Sequence, residues 1–159
     1  MALRHDKIRG PLLGLFIGDA LAMPAHWYYN QNDIFADFRG WIKDYEPASL
    51  QHPTSIMNVS STGGHGRGDQ SGDIIGSVIL HGKKEFWGKS RVHYHHGMAK
   101  GENTLNAQVA RVLLRSIASR QQYSPDGFLD DYTSFMTTPG SHNDTCVFTK
   151  CGLPPFWCL

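Results

Sequence analysis

The sequence predicts a predominantly helical domain, and three segments carry this prediction. Residues 4–23 form an apolar run with regularly spaced glycines, residues 102–120 carry one apolar stripe, and residues 126–137 form a shorter segment closed by a Pro-Gly pair. The chain has 159 residues and contains no internal repeat or interdomain linker. A chain of this length forms one domain and is long enough to bury a hydrophobic core.

The first predicted helix has glycines at positions 10, 14 and 18. Four-residue spacing places them on one helical face, and glycine is unfavourable inside a helix, so this stripe indicates close packing or access for a ligand. Asp19 follows the last glycine. Because an unpaired carboxylate among apolar residues is costly, it needs a partner. That partner is either at a ligand site or structural, such as backbone amides or an arginine, and both alternatives remain open.

The N-terminal apolar run is predicted to be a buried helix of a soluble protein. Asp19 interrupts it, and its apolar stretch is too short to cross a bilayer. A cytoplasmic location is therefore expected. The formal net charge of +1 gives no general attraction to nucleic acid or to an anionic membrane, so neither is an expected partner.

The middle of the chain is predicted to contain one short helix, a long irregular loop and a small β-hairpin. The helix covers residues 30–41, and the loop covers residues 43–73. The hairpin is expected within residues 73–95, where the β-branched run 73–80 would pair with residues 86–95.

Histidines and cysteines cluster at two places in the sequence. In the second strand of the predicted hairpin, His93 and His95 would share a face while His96 points away. Two imidazoles can contribute to a metal site, but polar residues leading to a helix are the favoured interpretation. All three cysteines lie in the last fourteen residues, where their odd number makes a poor disulfide framework.

Residues 101–104, Gly-Glu-Asn-Thr, are predicted to open the 102–120 helix. The first turn of a helix presents free amide groups and a positive dipole end, which favour a phosphate or a carboxylate. Glu102, Asn103 and Thr104 can either face such a ligand or cap the helix. Asn106 and Gln108 extend the polar set, which favours a ligand-facing helix start.

Three stretches in this order together resemble the ADP-ribosylglycohydrolase family: "GLFIGDALAMPAHWYY", "HYHHGMAKGENTLNAQ" and "PGSHNDTCVF". The resemblance implies an all-α, orthogonally packed helical domain whose cleft holds two Mg²⁺ ions. It also implies hydrolysis of the N- or O-glycosidic bond between ADP-ribose and an acceptor, so that ADP-ribose or an ADP-ribosylated substrate is the expected partner. Oxygen ligands suit Mg²⁺, and carboxylates suit glycosidic hydrolysis.

The resemblance also implies roles for eight residues. The residue implied to be catalytic is Asp19. Those implied to bind substrate are Asn106, His142 and Asn143. Those implied to bind metal are Glu102, Asn103, Thr104 and Asp144.

The sequence departs from the family pattern at several of these positions. The usual Thr-Asp-Asp-Thr string is replaced by residues 101–104, which substitute a Glu and a neutral Asn for the two aspartates and so weaken Mg²⁺ binding. Ala22 replaces a usual Gly, and His26 stands where many members carry Glu. Each change reduces the expected likeness of the site to that of a typical member.

The end of the chain lacks the late Asp-x-Asp-Thr segment of the family. We therefore expect residues 1–145 to be the N-terminal part of such a domain and residues 146–159 to be a divergent tail, as in a truncated or divergent member. The alternative to a hydrolase is a non-catalytic relative that binds ADP-ribose or has a structural, crystallin-like role.

Overall fold

The computed structural model describes residues 2–54, 84–86 and 89–143, and it describes side-chain burial from residue 7 onward. These residues form four α-helices, which are α1 (Ala2–Ala22), α2 (Gln31–Phe38), α3 (Leu105–Arg120) and α4 (Pro125–Thr137). Short 3-10 turns occur at Met23–Ala25 and Lys84–Phe86. Within this described part of the chain there is no strand, so the all-α prediction is confirmed.

The helices begin and end at residues whose chemistry explains the boundary. α4 begins after Ser124, whose hydroxyl accepts a hydrogen bond from the Gly127 N–H at 3.2 Å, with a proline at the first helical position. α2 begins after Asn30, whose side-chain oxygen accepts from the Asn32 N–H at 3.0 Å. α3 begins three residues later than predicted, since Thr104 is extended and serves as its N-cap.

The predicted β-hairpin lies only partly within the described residues. Its second strand was predicted at residues 86–95, and the described part of that range is not a strand, so this prediction is wrong. The first strand, residues 73–80, lies outside the described residues. Residues 89–95 form turns, with one isolated antiparallel bridge between Val92 and Gln51. The physical reason is burial: His93, Tyr94 and His95 are all buried, whereas successive residues of a half-buried strand alternate between the core and solvent.

Two small apolar clusters hold the described helices and loops together. The first joins α3 to α4 through the buried side chains of Leu105, Tyr132 and Met136. The second, Met23, Ala48 and Met98, lies beyond the end of α1, between the loops that follow α2 and precede α3. These loops are also joined by a backbone hydrogen bond from the Ala48 N–H to the Met98 carbonyl at 3.1 Å.

α1 is much more exposed than a buried helix, so that prediction is wrong. Ile8, Leu13 and Ile17 are 56%, 49% and 46% exposed. No described segment packs closely against the glycines of α1 either, because a Cβ built at Gly10, Gly14 or Gly18 meets no described atom within 4 Å. Contact with the described remainder of the protein is concentrated near the C-terminal end of α1, where Ala20 is buried.

The apolar length of this helix also bears on membrane insertion. Residues Lys7–Ala25 are long and apolar enough to cross a bilayer on length and composition alone, so the expectation that this stretch is too short is wrong. One such helix near the N-terminus is weak support for a span, because soluble core helices and signal sequences meet the same criterion. The cytoplasmic location therefore stays a prediction.

Replacing Gly14 by alanine is expected to stabilise the protein. The added methyl group has open space, and alanine is favoured over glycine in a helix interior by about 1 kcal/mol. The measurement is the free energy of unfolding in denaturant. As a control, Gly40→Ala should be destabilising because Gly40 has a φ of 125°. Destabilisation by Gly14→Ala would mean that this face of α1 packs closely in solution.

Candidate functional site

The start of α3 is held by the Asp19 carboxylate near the end of α1. Its Oδ2 accepts hydrogen bonds from the Thr104 backbone N–H at 2.7 Å and from Asn103 Nδ2 at 3.1 Å. Its Oδ1 accepts from the Thr104 hydroxyl at 2.6 Å. Thr104 is buried and makes no side-chain cap of its own, so the carboxylate from α1 satisfies donors at this helix end. A negative charge there is also favoured by the helix dipole.

The side-chain amide of Asn103 is fixed from both ends. Its Nδ2 donates to the Phe16 carbonyl at 2.7 Å in addition to Asp19, and its Oδ1 accepts from Arg111 Nη2 at 2.7 Å. Its backbone carbonyl accepts from Gln108 Nε2, also at 2.7 Å. These bonds join α1, the residues before α3 and the first two turns of α3 into one polar network.

A cavity of about 460 Å³ opens beside this network. It lies between the start of α3 and the segment that follows α4. The residues that line it are Gly101, Glu102, Asn103, Gln108, Arg111, Gly140, Ser141, His142 and Asn143. Residues 101–103 and 140–143, some three dozen positions apart in the sequence, thus line one cavity.

Four of the sequence-predicted residues line this cavity. They are Glu102 and Asn103 from the implied metal set, and His142 and Asn143 from the implied substrate set. Glu102 Oε2 accepts from the Ala99 N–H at 2.7 Å, and Asn143 Nδ2 donates to the Gly97 carbonyl at 2.9 Å. These contacts orient both side chains.

The other four predicted residues lie elsewhere. Asp19 and Thr104 are behind the cavity wall, bonded to each other. Asn106 is exposed on α3 and is not among the residues that line the cavity. Asp144 lies outside the described residues. The catalytic role of Asp19 stays a prediction, while its contacts give it a positioning role.

Arg111 is the main residue of the cavity that the sequence interpretation did not single out. Its guanidinium lines the cavity, bonds Asn103 and lies over the Phe16 ring, with the guanidinium carbon 5.3 Å from the ring centroid. The signal was its spacing: Arg111 follows Thr104 by seven residues and so shares a helical face with the start of α3.

The described residues do not fit a site for two Mg²⁺ ions. No group of three His, Cys, Asp or Glu side chains in the described ranges is arranged to bind a metal. Asn103 is neutral, its oxygen already accepts from a cationic guanidinium, and the nearby Asp19 carboxylate is occupied by three donors. Two divalent cations need more negative charge than Glu102 provides on the cavity wall.

A second feature, outside the cavity, is a histidine layer formed by the buried His52, His93 and His95 and the half-buried His26. Ring centroids of successive members lie 4.5 to 5.9 Å apart, and His26 Nδ1 contacts His95 Nε2. His93 Nε2 donates to the Pro24 carbonyl at 2.9 Å, while its Nδ1 accepts from the His95 N–H at 3.0 Å. This pattern requires the neutral ring of His93.

His52 has the same arrangement. Its Nε2 donates to the His26 carbonyl at 2.9 Å, and its Nδ1 accepts from the Thr54 N–H at 3.2 Å. Burial lowers the pKa of His52 below its usual value, and burial lowers the pKa of His93 to about 3. The neutral imidazoles of His52 and His93 therefore join the segment after α1 to the two loops, as structural core residues do.

Asp19→Asn is expected to destabilise the folded chain by about 1–3 kcal/mol, since the variant loses the negative charge that strengthens three hydrogen bonds at the start of α3. The measurement is a thermal or denaturant melt without ligand. The matched control is Asp126→Asn in the exposed first turn of α4, which should change stability by less than about 0.5 kcal/mol. An unchanged melt for Asp19→Asn would contradict the positioning role.

The stability of the chain is expected to fall as pH falls from 6.5 toward 3. The pKa of His93 is about 3 when folded and about 6.5 when unfolded, so the unfolded chain binds more protons throughout this window. His93→Gln, which keeps a donor for the Pro24 carbonyl, should reduce the slope of unfolding free energy against pH by up to about 1.4 kcal/mol per pH unit. Urea melts across the window measure that slope.

A control for the pH experiment is Tyr94→Phe. The buried Tyr94 ring packs against His26 of the histidine layer, and the substitution keeps every histidine. This variant should retain the wild-type slope even where its absolute stability is lower. Identical slopes for wild type and His93→Gln would show that His93 is not held neutral in the folded chain.

Comparison with known proteins is consistent with the sequence resemblance. A family model described as ADP-ribosylglycohydrolase matches residues 1–152, which include both walls of the cavity and the Asp19 contact. No significant match is found among curated proteins or among solved structures. Because the family model covers nearly all of the 159 residues, the chain belongs to the ADP-ribosylglycohydrolase family.

Proposed function

We propose that the cavity binds the ADP-ribosyl group of an ADP-ribosylated substrate and that the chain hydrolyses the N- or O-glycosidic bond of that group. The observation that carries the proposal is the meeting of residues 101–103 and 140–143 at one cavity. Both segments belong to stretches that resemble the family, and membership of the family supplies the class of ligand.

The size and polarity of the cavity suit such a ligand. About 460 Å³ lies within the usual range of small-molecule sites. Its wall carries the side-chain oxygen of Gln108 and the hydroxyl of Ser141, which can accept hydrogen bonds from ribose hydroxyls. The Glu102 carboxylate adds a negative charge to the wall, and the Arg111 guanidinium adds a positive charge.

Glu102 is the proposed general base, because it provides the carboxylate on the described cavity wall and its Oε2 is fixed by the Ala99 N–H. Glu102 would remove a proton from water as the water oxygen bonds to the anomeric carbon of the ribose. The glycosidic bond then breaks and its electron pair leaves with the acceptor. The acceptor takes up a proton from solvent, and Glu102 releases the proton of the attacking water to solvent. The products are ADP-ribose and the free acceptor.

A second candidate function is binding of ADP-ribose without hydrolysis. The contacts of Asp19 favour it, because all three donors around this carboxylate belong to the protein and none is left to a reacting group. The neutral Asn103 favours it too. Both candidates require the same ligand in the same cavity.

Glu102→Gln is expected to slow release of ADP-ribose by about 10²- to 10⁴-fold while leaving its binding intact. The experiment incubates the chain with N-linked and O-linked ADP-ribosyl conjugates and measures free ADP-ribose by chromatography. Titration calorimetry with ADP-ribose measures binding to the same samples. The exposed Asp126→Asn variant is the control and should match wild type in both assays.

The outcomes separate the two candidates. Release by wild type that is lost in Glu102→Gln supports hydrolysis. Binding of ADP-ribose without release from either class of conjugate supports the binding function. Absence of both binding and release would overturn the proposal as a whole.

A further inference from the structure

Arg111 is held in the cavity wall in an unusually well-defined position for an exposed arginine. It lies two turns into α3, its Nη2 donates to Asn103 Oδ1 at 2.7 Å, and its guanidinium lies over the Phe16 ring. A cation over an aromatic face is attracted by the ring quadrupole. Contacts to α1 and to the residue before α3 therefore fix the guanidinium from two sides.

The charge of Arg111 is not neutralised by the described part of the protein. The guanidinium forms no ion pair with any described carboxylate, and the cavity carboxylate of Glu102 accepts instead from the Ala99 N–H. A guanidinium has five N–H donors, and Asn103 takes one of them. The remaining donors are available to a ligand in the cavity that Arg111 lines.

This cation lies where the family resemblance places a metal ligand. Asn103 Oδ1 already accepts from Arg111, so Mg²⁺ bound to the same oxygen would be close to a second positive charge. The family pattern has an aspartate at this position, and the neutral Asn103 removes the negative charge that would offset such a cation. The Arg111 guanidinium and the neutral Asn103 amide, by contrast, form a donor–acceptor pair that needs no metal ion.

We propose that the Arg111 guanidinium, rather than Mg²⁺, supplies the positive charge of this cavity, and that it binds the diphosphate of the ADP-ribosyl ligand. The inference rests on the proposed function for the identity of the ligand. Arginine presents parallel N–H donors whose spacing matches two phosphate oxygens, and its charge strengthens both hydrogen bonds. Binding of ADP-ribose is therefore independent of Mg²⁺ and dependent on Arg111.

The test is titration calorimetry of ADP-ribose into the full chain, once with EDTA and once with excess Mg²⁺. Wild type should give the same Kd in both conditions. Arg111→Gln, which keeps a donor for Asn103 but loses the charge, should raise the Kd about 10- to 100-fold. Arg111→Lys, which keeps the charge but loses the planar fork, should give an intermediate Kd.

The matched control is Arg115→Gln, one turn further along α3, which is exposed and does not line the cavity. It should bind as wild type does, and circular dichroism melts of all variants exclude unfolding as the cause of a weaker Kd. Binding by wild type only with Mg²⁺ would overturn the inference and leave the proposed function standing. So would unchanged binding by Arg111→Gln. Absence of binding in both conditions would overturn the proposed function as well.

Discussion

The Asp19 carboxylate is the contact on which the rest of the site depends. It lies near the end of one helix and satisfies the N-cap residue of another, 85 positions later in the chain. The bond to the Thr104 N–H fixes where α3 starts. The bond to Asn103 Nδ2 fixes the side chain of the residue that precedes Thr104. Since Arg111 and Gln108 both hydrogen-bond to Asn103, the geometry of one cavity wall follows from this single carboxylate.

A second constraint comes from the loops that follow α2 and precede α3, in which the buried apolar side chains are Ala48, Tyr94 and Met98. These loops are also joined by backbone hydrogen bonds and by imidazoles that donate to carbonyl groups of the segment after α1. Buried polar groups are tolerated when they are hydrogen-bonded, and the arrangement requires a fixed tautomer at His52 and His93. A polar layer and a small apolar cluster therefore bring residues 89–104 to the end of α1.

The sequence was sufficient for what local chemistry decides. The two helices α3 and α4 were predictable from their apolar stripes and caps, and the residues 101–104 were recognisable as a helix start. Asp19 was recognisable as a carboxylate that needs partners. Those partners were not predictable, because Thr104 and Asn103 are distant in sequence and the same donors could have faced a ligand.

Two other failures have the same origin. Residues 86–95 were predicted to pair as a strand with residues 73–80, but tertiary contacts bury His93, Tyr94 and His95 in succession, and the described residues there form turns. Arg111 was not recognised as a cavity residue, because a polar residue opposite an apolar stripe usually only faces solvent. Its spacing from Thr104 indicates only a shared helical face, and its contact with Phe16, a residue of a different helix, could not be predicted from α3 alone.

The long separation of the Asp19 contacts has a consequence for the order of folding. α3 and α4 are adjacent in the chain and pack on each other, so their hairpin forms through short-range contacts. The contacts from Phe16 and Asp19 to Asn103 close loops of 87 and 84 residues, which costs more chain entropy and is slower. The helical hairpin is therefore expected to form first, and a binding-competent cavity to exist only after α1 docks onto it.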